Sequence, residues 1–397
     1  MGRRRAECQG KDTMLKAVQF GAGKIGRGFL GQLLFEGGCH TTFVDADAAL
    51  VGALNVCGAY PLRLASDAEI LTLLIGNLRA LDARREEGAV VRAVAGADLV
   101  SVAVGVHALP RVMPLLAAGL NARAEAGGGP LDVLLCENQW HAAALVRGLL
   151  LPHIAPEARE YFDAQVGLVE TVIGRMAPAI TDRQRAEDPL LVVAEPYKEL
   201  PVARAMLRAA PPPLPGLVLA DDFEAYEARK LYGHNMSHAA LAYLGHPRGH
   251  EYVWQCTADP AVAGVCRAAL AEVVPALAAE YGQPQDGLAA FANDLLARFA
   301  NRTLGDTVAR VAADPLRKLR PDDRLVGAAA LCVRHSISPV AQARVIRAAF
   351  RYDAPDDPSA QELQARRQKD GDDRALEAVA GIAPGSELWR LISAARE

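Results

Sequence analysis

Between Leu15 and Phe20 the chain reads Leu-Lys-Ala-Val-Gln-Phe, a short apolar run that stops at a glycine-rich stretch. Apolar residues then recur at helical spacing from Phe29 to Phe35, up to Gly37-Gly38, and a second run, Thr41-Thr-Phe-Val44, follows. The period changes from strand to helix to strand, which predicts a βαβ unit. Two further apolar runs, 97–104 and 132–136, predict strands ending at Gly105 and at Glu137-Asn138. The runs 166–169 and 190–195 predict strands that extend the same sheet, with polar loops at 124–130 and 182–188. Pro211-Pro-Pro-Leu-Pro-Gly216 is the strongest breaker in the chain. Beyond Asp221-Asp222 the pattern is mostly helical, over 261–281, 286–300, 303–313, 323–334, 338–350, 359–369, 373–381 and 386–396. The expected fold is an α/β Rossmann-type N-terminal domain, 14–220, followed by a mostly α-helical substrate domain, 221–397. Residues 1–13 are polar and lack periodicity, and are expected to form a disordered extension.

The first turn has a chemistry of its own. Gly21-Ala22-Gly23-Lys24-Ile25-Gly26 is a GxGxxG sequence between a strand and a helix, and Asp45 stands nineteen residues after its third glycine. Gly21 allows a tight turn, Gly23 lets backbone approach a pyrophosphate, and Gly26 lets helix and strand pack closely. The helix N-terminus offers unpaired N–H groups to the same phosphates. Asp45 suits a ribose 2′-hydroxyl and repels a 2′-phosphate, and no Arg or Lys follows it within ten residues, so NAD is expected rather than NADP. Val104 and Gly105 end a central strand and are expected near the nicotinamide-side ribose. Arg27 is a further candidate for the phosphates. No second flavin-type segment is present.

In the second half one stretch concentrates functional groups: Glu227-Ala-Arg-Lys230-Leu-Tyr-Gly-His234-Asn235-Met-Ser-His238. On an α-helix, Glu227, Lys230, His234 and His238 fall within about a quarter-turn, with Asn235 further round. A desolvated lysine near other cations loses its proton more readily and becomes a base for an alcohol. Amides such as Asn235, and Asn138 at the end of its strand, can donate to a developing oxyanion. His234, His238, His246 and His250 form two i, i+4 pairs, but the tract has no cysteine and Glu251 is its only nearby acid, so no metal is expected.

Composition narrows the class. The 397 residues are 51% hydrophobic with a net charge of −4, which supplies no footprint for nucleic acid or an anionic membrane. The seven cysteines form no CxxC pair and read as free thiols of a reducing, cytoplasmic compartment. No signal peptide and no apolar run long enough to span a bilayer are evident. Nothing reads as a coiled coil, and a monomer or weak dimer is expected.

Several segments resemble the mannitol-1-phosphate 5-dehydrogenases, within the polyol-specific long-chain dehydrogenase family. They are Phe20-Gly-Ala-Gly-Lys-Ile-Gly-Arg-Gly-Phe29, Ala103-Val-Gly105, Cys136-Glu-Asn138, Glu227-Ala-Arg-Lys-Leu with Asn235 and His238, and Asp314-Pro-Leu-Arg-Lys-Leu319 with Asp323-Arg-Leu325. The resemblance runs from Met14 over nearly the whole chain. It implies a metal-free NAD enzyme in which Lys230 is the base, Asn138 and Asn235 steady the alkoxide, His238 binds substrate hydroxyls and Glu227 relays protons. The chain departs from the family where His234 precedes Asn235, where Gln139-Trp140-His141 follows Asn138, and at Ile173-Gly174-Arg175, which lacks the usual acid. A sugar phosphate needs cationic donors, for which Arg317, Lys318 and Arg324 are the candidates. The expected reaction is mannitol 1-phosphate with NAD to fructose 6-phosphate and NADH. An unphosphorylated polyol, a hexuronate, or a non-catalytic NAD-binding sensor stand as alternatives.

Overall fold

A computed structural model describes residues 14–178 and 180–395. The expected extension at 1–13 lies outside the described residues. The chain forms two compact units, one reaching to Leu64 and including Leu71–Asp221, the other containing Ala65–Ile70 and the chain from Asp222 onward.

The first unit is built on six strands in the spatial order Leu78–Asp82, His40–Asp45, Lys16–Phe20, Leu99–Val102, Leu131–Leu135 and Val166–Glu170. All five pairings are parallel. This is the doubly wound order in which the first strand lies beside the fourth, and the reversal of direction opens a crevice at the strand C-termini. Alternate side chains feed opposite faces. Val18, Phe20, Val100, Val102, Val133 and Leu135 enter one apolar cluster, with Leu109, Met113, Leu116 and Leu120 of the Leu109–Glu125 helix. Ala17, Leu99, Leu134 and Val169 enter the other, with Phe29, Leu30, Leu33 and Leu34. A parallel sheet covered on both sides explains the near-continuous apolar runs in the sequence.

Three differences from the sequence reading concern this unit. Val192–Ala194 is a strand but does not extend the main sheet; it pairs parallel with Tyr60–Ala65 in a separate three-stranded sheet that also holds Ile70–Ile75. Residues 182–188 are not a loop, because Thr181 and Gln184 form a reciprocal capping box that starts a helix, Asp182–Glu187. The strands Tyr60–Ala65, Ile70–Ile75 and Leu78–Asp82 lacked a clear signal. Pro61 interrupts the first, and the second exposes Ile70, Leu71 and Leu74.

The second unit is helical. Pro260–Tyr281 runs through its core, burying Val262, Cys266, Leu270, Val273 and Leu277. It has 22 residues and a mean hydropathy of 1.6, so by length and composition it matches a membrane span, unlike the sequence expectation; 56% of its most apolar window is buried inside the protein, as in a core helix. Gly305, at φ 59°, divides the expected 303–313 helix into Arg302–Leu304 and Val308–Ala312. The six cysteines among the described residues are all free thiols.

Candidate active site

The glycine turn of the first unit is held by its neighbours. Gly21 has φ +88°, and a Cβ there would lie 2.3 Å from the carbonyl oxygen of Ala103. A Cβ on Gly26 would lie 1.9 Å from the carbonyl oxygen of Gly21, whereas one on Gly23 would meet nothing within 4 Å. Only Gly23 therefore faces open space. The buried Gln19 side chain donates to the carbonyls of Phe20 at 2.6 Å and Gly21 at 3.1 Å, and it accepts from Ser101. Oδ2 of Asp45 accepts from the Ala22 amide at 2.7 Å and Oδ1 from the Asp47 amide at 3.0 Å.

After this turn the helix widens. Gly26–Leu30 is a π-helical turn, followed by α-helix over Gly31–Glu36. Such a turn displaces carbonyls from the regular ladder. The hydroxyl of Tyr60 donates to the carbonyl of Arg27 at 2.7 Å, and Nη1 of Arg175 donates to that of Gly28 at 2.9 Å. Arg27 itself does not face phosphates. It is buried, donating to the carbonyls of Ala22 and Leu190, each at 2.6 Å.

Beside the turn lies a cavity of about 650 Å³, lined by Gly21, Gly23, Asp45, Ala46, Ala83 and Val104 among others. Ala22, Lys24, Ile25, Gly26 and Gly105 do not line it; Ala22 is buried, and Ile25 packs against the apolar core. Gly105, at φ +84°, is fixed with Val104 by Glu137, whose Oε1 accepts from both amides at 2.8 and 3.0 Å. Burial pushes the Glu137 carboxyl above its ordinary range despite those two bonds. Asn138, the next residue, is exposed. Sequence reasoning missed Glu137 as a brace, and it missed Arg84 and Arg111, which also line the cavity. Arg84 follows a strand that lacked a signal. An open glycine, a positive-φ turn, a terminal acid and a cavity at the strand ends fit a dinucleotide.

The lysine stretch of the second unit is not a continuous α-helix. Phe223–Ala228 is α-helical, Arg229–Asn235 is π-helical, and Met236–Gly245 is α-helical again. The quarter-turn arc expected from 3.6-residue geometry is therefore re-phased, because i→i+5 bonding admits more residues per turn. Oγ of Ser237 donates to the displaced carbonyl of Gly233 at 2.6 Å. Lys230 lies within the wide segment, partly accessible at its surface. Burial pushes its ammonium down to about 8, the positive charge of Arg324 adds to the shift, and Glu227 and Asp323 oppose it.

His234 is buried, 6% exposed. Burial, then Arg298, His238 and Lys230, push its imidazole well below the usual value, so it is neutral. It meets Phe299 edge-on at 5.4 Å, while His238 stacks parallel on Phe299 at 4.6 Å. Nε2 of His238 lies 2.9 Å from Oδ2 of Asp306 without the alignment of a hydrogen bond. Burial lowers the His238 pKa against the pull of this acid. For Asp306 itself, burial works against ionisation, yet His238 and Arg310 hold it below the usual carboxylate range. Asp306 was not read from the sequence, since its partner is remote along the chain.

The three candidate phosphate cations differ. Arg317 is half exposed, and its Nε donates to Asp314 at 2.8 Å. Arg324 is buried, with Nε 2.7 Å from Oδ1 of Asp323. Lys318 is 5% exposed, and burial, aided by Arg324 and Arg317, pushes its ammonium down to about 7. Among the described residues no group of three His, Cys, Asp or Glu side chains is placed to hold a metal ion. His250 and Arg248 both contact Asp259, and His246 meets Tyr352 edge-on.

The first unit thus carries a nucleotide-type cavity, and the second a lysine with a lowered pKa. Residues 15–216 match the mannitol dehydrogenase Rossmann domain, and residues 222–388 match the mannitol dehydrogenase C-terminal domain. The chain belongs to the mannitol dehydrogenase family. It is 33% identical over 376 residues to the mannitol-1-phosphate 5-dehydrogenase of Brevibacillus brevis, covering 95% of this chain and 96% of the relative. Its fold is similar to that of Pseudomonas fluorescens mannitol 2-dehydrogenase, solved as a ternary complex with NAD and D-mannitol, with a TM-score of 0.75, 21% identity and coverage of 96% and 92% of the two chains. A substrate-free D-sorbitol dehydrogenase gives a TM-score of 0.81 at 18% identity, with the same coverage.

Proposed function

We propose that this chain interconverts mannitol 1-phosphate and fructose 6-phosphate with NAD, using Lys230 as general base and no metal. The observation that carries the reading is the Lys230 ammonium pushed down to about 8 by burial and Arg324. A lysine so placed is substantially neutral at mildly alkaline pH and can take the hydroxyl proton of a carbinol. The 33% identity to a mannitol-1-phosphate 5-dehydrogenase supports the choice of substrate.

Gly21 and Gly23 would hold the pyrophosphate, Asp45 a ribose hydroxyl, and Val104 the nicotinamide side. A bound NAD would supply the hydride acceptor for the carbinol carbon. Lys230 accepts the hydroxyl proton as that carbon is oxidised, and Glu227 returns it toward solvent. Asn138 and Asn235 donate to the developing oxyanion, which lowers the barrier if the donors are fixed beforehand. His238, whose pKa burial lowers, turns Nε2 toward Asp306 and would have Nδ1 left for a substrate hydroxyl. Lys318 and Arg324 supply buried positive charge for the phosphate; a dianion beside Lys318 would favour its charged form and restore the proton that burial removes. Arg317, tied to Asp314, adds a weaker, exposed contact.

The deciding experiment follows NADH oxidation with fructose 6-phosphate and with fructose, each in excess chelator. Turnover with the phosphate alone is expected. Equal turnover with fructose would reject the phosphate assignment, and dependence on added metal would reject the lysine-only mechanism.

A further inference from the structure

A second cavity lies in the helical unit. Its volume is about 440 Å³, and its walls carry Arg248, Arg344, Arg347, Arg351, His246 and Tyr352. Among the described residues no aspartate or glutamate lines it. Four guanidinium groups meet there, of which Arg248 is paired with Asp259 at 2.5 Å. Arg344, Arg347 and Arg351 recur at i, i+3 and i+7, on and just past the Val340–Phe350 helix, so one face of that helix carries all three.

The arginines are unequally engaged. Nη1 of Arg347 donates to the carbonyl of Ile392 at 3.1 Å, but its Nε is buried without a hydrogen-bond partner among the described residues. Arg248 contacts Asp259. The side chain of Arg344 makes no hydrogen bond or ion pair among the described residues and lines the cavity directly. The buried, unsatisfied Nε of Arg347, on the same helix face as Arg344, is costly unless an acceptor enters. The rest of the wall is apolar or aromatic, with Tyr243, Val262 and Val265, and Tyr243 spends its hydroxyl on the carbonyl of Ala312 at 2.7 Å.

We propose that this cavity binds a small phosphate monoester, with the arginines on the phosphoryl group and the carbon skeleton against the tyrosines and valines. Guanidinium forks match phosphate oxygens in pairs, and a dianion answers more than one arginine at once. The volume exceeds what a bare phosphate fills. Neither Lys318 nor Arg324 lines the site, which adjoins the C-terminal end of the Met236–Gly245 helix through Tyr243 and Leu244.

The test is calorimetric titration of the full chain with phenyl phosphate, which carries no carbinol to oxidise. The protein carries Lys318→Ala, to remove the candidate substrate phosphate site. One saturable site is expected, at least tenfold weakened by adding Arg344→Glu, and also by the milder Arg344→Gln should the charge reversal impair folding. Arg374→Glu, an exposed arginine on another helix, should leave the affinity unchanged. Absence of saturable binding in the Lys318→Ala protein, equal binding by the Arg344 variants, or an equal loss with Arg374→Glu would each overturn the proposal. Benzoate binding as tightly as phenyl phosphate would overturn the choice of a phosphate ligand. Turnover plays no part in the readout, so failure here is distinct from failure of the dehydrogenase reading.

Discussion

The carboxylate of Asp45 and the backbone N–H of Ala22 are joined by a hydrogen bond of 2.7 Å. The end of the second strand is thereby tied to the middle of the glycine turn, and the same acid borders the nucleotide-type cavity. Asp45→Ser removes both the tie and the negative charge. The kcat/KM with NAD is expected to fall by about 10- to 100-fold, as for loss of hydrogen bonds to a charged group. The NADP-to-NAD preference should rise, helped by Arg84 on the same cavity wall. Steady-state kinetics with both cofactors check this, and an unchanged ratio would remove Asp45 from cofactor choice.

Lys230→Ala should lower kcat by about 10²- to 10⁴-fold, the usual yield of a positioned acid–base group. NADH affinity, measured by fluorescence titration, should stay the same. In the wild type, polyol oxidation needs the neutral amine. Its rate should climb with pH up to about 8 and level off above it, while ketose reduction, which needs the ammonium, should decline above that point.

The surroundings of Lys230 predict two opposite displacements of that profile. Arg324 lowers the lysine pKa and Glu227 raises it. Arg324→Met should therefore move the oxidation limb to higher pH, and Glu227→Gln should move it to lower pH. Movement of both variants in the same direction would mean that another group titrates.

Two glycines of the turn, Gly23 and Gly26, should behave differently on gaining a methyl. Gly26→Ala places Cβ 1.9 Å from a backbone oxygen that cannot withdraw. A loss of about 1–3 kcal/mol in denaturant unfolding is expected, as for overpacking, together with weaker NADH binding. Gly23→Ala meets nothing within 4 Å. Its stability should match the wild type while NADH binding weakens, because the methyl enters the space a pyrophosphate needs.

Much of the first unit could be read along the chain because its evidence is local. Strand, glycines, helix and terminal acid follow one another within residues 15–45, and the buried parallel strands announce themselves as apolar runs. Leu78–Asp82 was missed because it offers only five residues with Arg79 inside them. Val192–Ala194 was assigned to the wrong sheet because a sequence gives no pairing partner. In the second unit the residue types Glu227, Lys230, Asn235 and His238 were legible, but their angular arrangement was not. A π-helical turn depends on which carbonyls find other donors, and Ser237 and its bond to Gly233 carry no signal in the pattern. The contact between His238 and Asp306 spans sixty-eight positions, from 238 to 306, and no spacing rule reaches that far.

The wide segment Arg229–Asn235 gives the helix one residue of slack. Removing one residue between Lys230 and Asn235 would let the chain close into regular α-helix at almost no cost in length or hydrogen bonding. Everything beyond the deletion would then rotate about the helix axis relative to Lys230. Asn235 and His238 would remain in the sequence and the fold would remain intact, yet the amide and imidazole would no longer face where the lysine faces. Such a protein would be well folded and inert, and the register of one loose turn would be the whole difference.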